Sequence, residues 1–172
     1  EKGRENLLLQ SNQFDTTWTN FDVTIASNQA GYDGGNDAWK VTNSNLYGRV
    51  TQDVTSSGVN TFSIYAKAGN SPYLRMQFQW VGSDAYFDLS DGSVISTEAT
   101  IIDAGTESVG NGWYRVFASV NEEITNVRII HTGAGGAGGG SIGDYFYIQD
   151  SQLEQGLVAT DYIETGASTA QA

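Results

Sequence analysis

The stretch YLRMQFQWV, residues 73–81, alternates apolar and polar side chains. Because successive side chains of a β-strand point to opposite faces, this pattern predicts a strand with one face in a hydrophobic core. The buried face holds Leu74, Met76, Phe78 and Trp80, and the outward face holds Tyr73, Arg75, Gln77 and Gln79. The long planar groups of the outward face distinguish it from an ordinary solvated surface.

Two further stretches repeat this alternation. Phe62, Ile64 and Ala66 are predicted to point inward in one of them, and Val116 and Ala118 in the other. The dipeptide at residues 111–112, Asn-Gly, is typical of a tight hairpin turn. Strands are predicted near residues 7–10, 21–26, 38–43, 46–54, 61–68, 73–81, 85–89, 94–102, 113–120, 126–131 and 145–153. Short β-rich runs separated by Gly, Asn, Asp and Ser clusters predict an all-β fold, a two-sheet antiparallel β-sandwich.

The chain is strongly acidic and has no cysteine. Its 172 residues include eight Lys and Arg against twenty Asp and Glu, a formal net charge of −12. We therefore expect no nucleic acid partner and no binding to a membrane surface, since both carry negative charge. The lack of cysteine excludes disulfides and thiolate metal sites. No run approaches the roughly 20 apolar residues of a membrane helix, and residues 1–10 lack a signal-peptide layout. We therefore expect the chain to be a soluble part of a larger protein.

The motifs that suggest catalysis are weak. Residues 133–138, GAGGAG, match the glycine pattern of a dinucleotide site, but a strand is predicted after them where that site requires a helix. His131 is the single histidine, and without a Gly-x-Ser-x-Gly elbow it is interpreted as an ordinary strand-end residue. Hydrolysis by paired carboxylates stays open on sequence alone, with acids near predicted loops or strand ends at Asp84, Asp88, Asp91, Glu98 and Asp103.

Two loops are rich in oxygen ligands, GYDGGND at residues 31–37 and DLSDG at residues 88–92. Ca²⁺ takes six to eight oxygen atoms from carboxylates, amides and backbone carbonyls. Neither loop has the spacing of an EF-hand, so a metal site and two solvated turns both remain open.

Outward-facing rings and planar polar groups are the more informative set. Sugars present CH faces that stack on aromatic rings and hydroxyl pairs that suit Arg and Gln side chains. The candidates for such a surface are Tyr47, Arg49, Tyr65, Lys67, Tyr73, Arg75, Gln77 and Gln79. The alternative is that these long side chains only cover the outside of a sheet. Trp39 and Trp113 are expected in the core.

Several segments, taken together, carry a resemblance to a known family. They are NLL at residues 6–8 followed by Phe14 and Trp18, DAWKV at 37–41, TFSIYAKAG at 61–69, GNGWYRV at 110–116, and YIQDSQLEQG at 147–156 running to residue 163. This order resembles the jelly-roll, galactose-binding-like domains related to carbohydrate-binding families 4, 9 and 22. Such domains occur in phage tail proteins and beside polysaccharide-degrading enzymes. The resemblance spans almost the whole chain.

The resemblance implies a jelly roll with a glycan-binding face, no catalytic residues of its own, and one structural Ca²⁺ joining the first and last strands. The implied Ca²⁺ ligands are the Asp150 carboxylate, a carbonyl near Gln13, and a carbonyl or side chain near Asn36 or Asp37. In the resulting hypothesis, sugar rings would stack on Tyr47, Tyr65, Tyr73 and Trp80, and sugar hydroxyls or carboxylates would bind Arg49, Arg75, Gln77 and Gln79. Trp80 alternates with the core face, so its role requires a bulge or strand end near Gly82.

We interpret residues 1–167 as one carbohydrate-binding-like domain and residues 168–172 as a flexible C-terminal tail. The expected function is to anchor a larger secreted or virion tail protein to a polysaccharide or cell-surface glycan. The alternative is an assembly domain of a phage tail fibre or spike, a homotrimer that binds no sugar. The net charge favours a neutral glycan, whereas basic residues gathered on one sheet would favour an acidic polysaccharide.

Overall fold

The structure is a computed structural model that describes residues 4–79 and 82–172. These residues form fourteen β-strands and one 3-10 turn, Ala134–Gly136. The strands are β1 (Glu5–Asn6), β2 (Thr19–Phe21), β3 (Val23–Gln29), β4 (Ala38–Asn43), β5 (Arg49–Ser56), β6 (Val59–Ala68), β7 (Tyr73–Phe78), β8 (Asp84–Asp88), β9 (Ser93–Thr97), β10 (Ile101–Gly110), β11 (Trp113–Asn121), β12 (Ile124–His131), β13 (Tyr145–Gln155) and β14 (Ala170–Gln171). Within the described ranges, no helix is long and apolar enough to cross a membrane.

Twelve of the strands form two six-stranded sheets. The front sheet has the order β2-β5-β12-β7-β8-β9, and the back sheet has the order β10-β11-β6-β13-β4-β3. Neighbouring strands are antiparallel in both sheets. β1 and β14 form a separate antiparallel pair. The predicted fold class is therefore confirmed, because two antiparallel sheets pack over one core as a β-sandwich.

The core lies between the two sheets. Leu74, Met76 and Phe78 of β7 are fully buried on the front side of this core. Phe62 of β6 is fully buried on the back side, and its ring centroid lies 6.1 Å from that of Phe78. The alternation in YLRMQFQWV is confirmed as far as Phe78, and the last two residues of that stretch lie outside the described ranges.

Two predicted strands are each divided between the sheets. The segment predicted at 94–102 forms β9 in the front sheet and β10 in the back sheet, and the segment predicted at 21–26 is divided between β2 and β3. Asp22 separates β2 from β3 with a φ of 55°, in the left-handed region that few residues adopt. At both places the chain crosses from one sheet to the other, which a period-2 pattern does not reveal.

The predicted hairpin turn is confirmed. Asn111 and Gly112 connect β10 to β11 with φ values of 57° and 81°. Two successive positive φ values match the right-handed twist of the adjoining strands, and Asn-Gly adopts them at low cost.

The chain end differs from the predicted flexible tail. Ala170 and Gln171 form β14 and pair with Asn6 and Glu5 of β1. Thr169 Oγ1 also donates a hydrogen bond to Glu5 Oε1 at 2.7 Å. The short strand β1 offers backbone groups that need partners, and the end of the chain supplies them.

Candidate functional site

The outward side chains of the front sheet form one surface, which we call the front face. The strand registers arrange these side chains in two rows across the sheet. The first row is Phe21, Arg49, Ile130, Arg75 and Tyr86, and the second row is Thr19, Thr51, Arg128, Gln77 and Asp84. Each row crosses five strands, a span of about 19 Å at the usual spacing between strands.

An arginine lies over an aromatic ring at each end of the first row. The guanidinium carbon of Arg49 is 4.2 Å from the ring centroid of Phe21, and that of Arg75 is 5.4 Å from the centroid of Tyr86. Ile130 lies between the two arginines and is only 3% exposed, although it points away from the core. The first row therefore presents two cation–ring pairs on either side of a covered apolar residue.

The second row is held by hydrogen bonds between planar groups. Arg128 Nη1 donates to Gln77 Oε1 at 3.1 Å, and Arg128 Nε donates to Asn126 Oδ1 at 2.7 Å. Asn126 Nδ2 in turn donates to Asp53 Oδ1 at 2.8 Å. Gln77 and Asn126 are 6% and 9% exposed. These groups therefore form a recessed polar floor whose side chains are fixed by their neighbours.

Two neighbouring carboxyl groups, those of Asp84 and Glu98, lie at the β9 edge of the front face. Asp84 is 2% exposed and forms an ion pair with Arg75. The hydroxyl of Tyr86 lies 3.4 Å from Asp84 Oδ2 and 3.4 Å from Glu98 Oε1. A hydrogen bond to Asp84, together with burial, raises the pKa of Glu98, and burial raises the pKa of Tyr86.

Both carboxyl groups are held by the protein itself. Asp84 is paired with Arg75, and the Tyr86 hydroxyl lies between Asp84 and Glu98. Asp88 and Asp91 accept hydrogen bonds from the backbone N–H groups of Ser90 and Ser93 at 2.9 and 3.0 Å. The loop at residues 88–92 therefore consists of ordinary Asx turns.

The glycine-rich segment at residues 132–143 forms a wall beside the front face. It leaves β12 in the front sheet and returns to β13 in the back sheet, so a strand follows it as predicted. Gly136 has a φ of 80°, and a Cβ at this position would lie 3.0 Å from Tyr86 Cδ1. A Cβ at Gly139 would lie 2.6 Å from the carbonyl oxygen of Leu46. The absence of side chains thus lets the backbone pack closely against Tyr86 and the β4–β5 turn.

The structure brings several of the predicted glycan-binding residues together. Arg49, Arg75 and Gln77 share the front face, and Tyr73 lies on the same face of β7 opposite Asp88 of β8. Tyr47 is 44% exposed in the β4–β5 turn, where its carbonyl accepts a hydrogen bond from Arg49 Nη1 at 3.4 Å.

Two predicted residues lie at or beyond the end of β7. Gln79 follows this strand with a φ of 58°, and its side chain bonds to the Glu123 carbonyl and to Thr125 Oγ1. Trp80 lies outside the described residues. The hydrogen bonds of Gln79 direct its amide towards the start of β12, away from the first row.

Tyr65 lies on the opposite side of the molecule. It points outward from the back sheet, where its ring stacks on Tyr32 with centroids 3.7 Å apart and an interplanar angle of 6°. Trp113, beside it, is 2% exposed, and its ring lies 6.2 Å from that of Tyr32. Trp113 is therefore buried, as expected of a core residue, but what covers its ring is the loop that carries Tyr32. Because the two sheets separate them, Tyr65 cannot share one binding surface with Arg49 and Arg75.

Sequence reasoning missed Phe21, Tyr86 and Asn126. The alternation DAYFD in residues 84–88 carried a signal for Tyr86, since it places that ring on the outward face with Asp84. Phe21 is an isolated aromatic residue at the end of a three-residue strand, so no period could reveal its face.

The residues proposed as Ca²⁺ ligands lie on two sides of Asn12. Asn12 Oδ1 accepts a hydrogen bond from the Asp150 backbone N–H at 3.1 Å, and Asn12 Nδ2 donates to the Asp37 carbonyl at 2.9 Å. Gln13, Asn36 and Asp37 line a small polar cavity of about 210 Å³. Within residues 4–79 and 82–172, no three His, Cys, Asp or Glu side chains are grouped to hold a metal ion. Any ion at this place would therefore need amide and carbonyl oxygens in addition to one or two carboxylates.

Asp150 is a buried carboxyl group among other acids. Burial raises its pKa to about 6, with further increases from the nearby charges of Asp33 and Glu164. The hydroxyl of Tyr32 donates a hydrogen bond to Asp150 Oδ2 at 2.7 Å. The excess of negative charge at this place is the kind that a cation relieves.

A second cavity, of about 780 Å³, lies where the two ends of the described chain meet the end of β5. Its lining includes Glu154, whose carboxylate accepts hydrogen bonds from Gln152 Nε2 at 2.6 Å and from the Thr160 backbone N–H at 3.2 Å. Because its buried acid is already satisfied by the protein, we interpret this cavity as a structural junction rather than a binding site.

Comparison with solved structures identifies the same fold. A mutant of a family 29 carbohydrate-binding module superposes with a TM-score of 0.50 and 11% identity, over 89% of this chain and 92% of that one. A CBM22-1 xylan-binding domain from Paenibacillus barcinonensis gives 0.51 and 13% identity, over 90% and 96% of the two chains. The CBM22-1 and GH10 modules of a Clostridium thermocellum endo-1,4-β-D-xylanase, complexed with xylohexaose, give 0.52 and 13%, over 94% of this chain and 30% of that one.

These likenesses confirm the predicted jelly-roll fold of carbohydrate-binding modules. At 11–13% identity they show the architecture and not the ligand. No protein-family model matches the sequence, and no curated protein matches it.

Proposed function

We propose that the protein is a noncatalytic glycan-binding module and that the front face is its binding surface. The observation that carries this proposal is the recessed row of planar groups, in which Gln77 and Arg128 are fixed by hydrogen bonds between two arginine–ring pairs. Fixed planar donors beside aromatic rings match the hydroxyl pairs and CH faces of sugars. The solved modules of the same fold include one named as xylan-binding and one complexed with xylohexaose, which supports this class of ligand.

Binding to a panel of soluble polysaccharides by affinity electrophoresis and calorimetry tests the proposal. The informative variant is Phe21→Ala, because Phe21 is 48% exposed and its removal should leave the core intact. We expect about tenfold weaker binding from the lost ring contact. The matched control is Ile102→Ala, which removes a 51% exposed side chain from β10 of the back sheet and should bind as the unmodified protein does.

The alternative, an assembly domain that binds no sugar, predicts a different result. Ile142 and Val158 are 78% and 67% exposed and could contact other subunits. A folded protein that binds no member of the panel, and that forms a trimer by light scattering, would replace the glycan-binding proposal with this one. If the protein binds a glycan, we expect the module to anchor a larger secreted or virion protein to that glycan.

We further propose that Ca²⁺ stabilises the fold near Asp150. The Asp150 carboxylate would supply charge, and oxygens near Gln13, Asn36 and Asp37 would complete the ligand set. The negative charge around Asp150 supports this proposal. The chain segments concerned are far apart in sequence, so an ion bound to them would stabilise only the folded state.

A further inference from the structure

Three arginines are clustered on the front face of an otherwise acidic protein. The chain has eight basic and twenty acidic residues, yet Arg49, Arg128 and Arg75 lie on the adjacent strands β5, β12 and β7. Burial, followed by the positive charges of Arg49 and Arg75, lowers the pKa of Arg128. The registers place Arg49 and Arg75 in the row next to that of Arg128, one strand away on either side. Their like charges oppose one another, a cost that an anionic ligand would reduce.

Arg49 is the most available of the three. Within residues 4–79 and 82–172, the single ion pair between side chains joins Arg75 to Asp84, so Arg49 has no carboxylate within 4.0 Å there. Its guanidinium lies over the Phe21 ring and makes one long hydrogen bond to the Tyr47 carbonyl. A guanidinium has five N–H donors, so most of those of Arg49 can serve a ligand.

Three of the nearby acids are paired or lie away from this corner. Asp84 is paired with Arg75, and Glu98 lies beside the Tyr86 hydroxyl at the other end of the first row. Asp53 lies four residues from Arg49 along β5, about 13 Å in an extended strand, and accepts a hydrogen bond from Asn126. Asp22 follows Phe21 at this corner, but among the described residues the single ion pair within 4.0 Å is that of Arg75, so the Asp22 carboxylate is not paired with Arg49. The corner of Phe21, Tyr47 and Arg49 therefore offers a guanidinium that no carboxylate neutralises.

We propose that the front face selects glycans that carry anionic groups, carboxylate or sulfate, and that Arg49 pairs with the anion while Phe21 and Tyr47 contact the sugar. This inference rests on the proposed function. A planar guanidinium held on a ring suits the paired oxygens of carboxylates and sulfates better than single hydroxyl groups. Nonspecific attraction does not provide this selectivity, since a protein with a net charge of −12 repels acidic polymers as a whole.

The test compares polymers that differ only in charge. Polygalacturonate is measured beside its carboxyl-reduced form, and a sulfated carrageenan beside its desulfated form, with xylan as a neutral reference. We expect binding to one acidic polymer, at least tenfold weaker binding after its charge is removed, and weaker binding as salt rises from about 50 to 500 mM. An effect in the polygalacturonate pair identifies carboxylate as the recognised anion, and an effect in the carrageenan pair identifies sulfate.

The variant Arg49→Gln should bind the acidic polymer about tenfold more weakly, as expected for loss of a charge-assisted hydrogen bond. Lys40→Gln is the matched control, because it removes the same charge from the outer side of the back sheet, where Lys40 lies 4.1 Å from the Tyr145 ring centroid. Equal or stronger binding of the neutral forms, or an unchanged Arg49→Gln variant, would overturn this inference and leave the proposed function standing. Binding to none of the polymers would overturn both.

Discussion

His131 shows how a buried titratable residue can serve the fold alone. It is fully buried, its ring stacks on Phe146 with centroids 4.1 Å apart, and Nε2 lies 3.1 Å from the Val41 carbonyl. That bond assigns the proton to Nε2, and Nδ1 is buried without a partner among the described residues. Burial lowers the pKa of His131 to about 4, so the ring is neutral in the folded protein at neutral pH.

Acidification should therefore destabilise the protein through His131. The unfolded chain takes up a proton near pH 6.5, but the folded protein resists protonation until about pH 4. The free energy of unfolding is then fully retained above pH 6.5 and falls as the pH drops towards 4, by about 2–3 kcal/mol for this residue. Urea unfolding at pH 7 and pH 4.5 measures the difference, and His131→Gln should reduce it by that amount. The same pH dependence in both proteins would assign the loss to other groups.

Two outward tyrosines show the limit of sequence patterns. Period-2 alternation places both Tyr65 and Tyr86 outward, which the structure confirms. It does not say to which sheet a strand belongs, so it does not separate Tyr65, on the back sheet, from Arg75. Nor does it reveal that Tyr86 contacts Arg75 directly. The local sequence determines towards which face of the sheet a side chain points. The side chains beside it on that face depend on the order of strands in the sheet.

The strands themselves were largely predictable, and the chain crossings between sheets were not. The strand predicted at residues 38–43 has the bounds of β4, and the alternation of Trp39, Lys40, Val41 and Thr42 lies within it. The crossings near Asp22 and between β9 and β10 involve one or a few residues of ordinary composition. The glycine-rich segment was recognised as a connection, but its packing against Tyr86 depends on close approach between distant parts of the chain.

Gly136 tests whether this connection positions Tyr86. Its φ of 80° strains any residue with a Cβ, and a Cβ would press on the Tyr86 ring at 3.0 Å. Gly135 has a similar φ of 66° and open space around its missing side chain. We expect Gly135→Ala to lose about 1 kcal/mol of unfolding free energy from backbone strain, and Gly136→Ala to lose about 2–3 kcal/mol because the ring must also move.

Urea unfolding of the two variants, with NMR of the Tyr86 ring, measures this difference. Only Gly136→Ala should shift the ring signals and weaken glycan binding. Equal stability and unchanged ring signals in both variants would show that the connection does not hold Tyr86.

One buried amide, that of Asn6, connects the first strand to segments near the other end of the described chain. Asn6 Nδ2 donates hydrogen bonds to the carbonyls of Ser151 and Ile163 at 3.0 and 2.8 Å. Asn6 Oδ1 accepts from the backbone N–H groups of Leu8 and Leu153, both at 3.2 Å. All four hydrogen-bonding positions of the amide are thus used inside the protein. Segments more than 140 residues apart in sequence depend on this contact, which places the chain ends and the Asp150 region in one unit.

Ca²⁺ should raise the melting temperature of this unit if it binds near Asp150. At about one hundred times the dissociation constant, a ligand specific to the folded state contributes about 2.7 kcal/mol. For a domain of this size, that corresponds to a rise of about 5–10 °C in melting temperature. Calorimetry in millimolar Ca²⁺ and in chelator measures the effect, and Asp150→Asn should abolish it because the neutral amide keeps the Tyr32 hydrogen bond but loses the charge.

The net charge of −12 makes a salt control essential, because any cation stabilises an acidic protein by screening its self-repulsion. NaCl at matched ionic strength therefore serves as the reference, and the exposed Asp103→Asn serves as the matched variant, since it removes the same charge from β10. A specific ion raises the melting temperature beyond the NaCl reference in the unmodified protein and in Asp103→Asn, but not in Asp150→Asn. If NaCl reproduces the whole rise, or Asp150→Asn retains it, the carboxylate of Asp150 does not bind Ca²⁺ and its raised pKa reflects burial among acids alone.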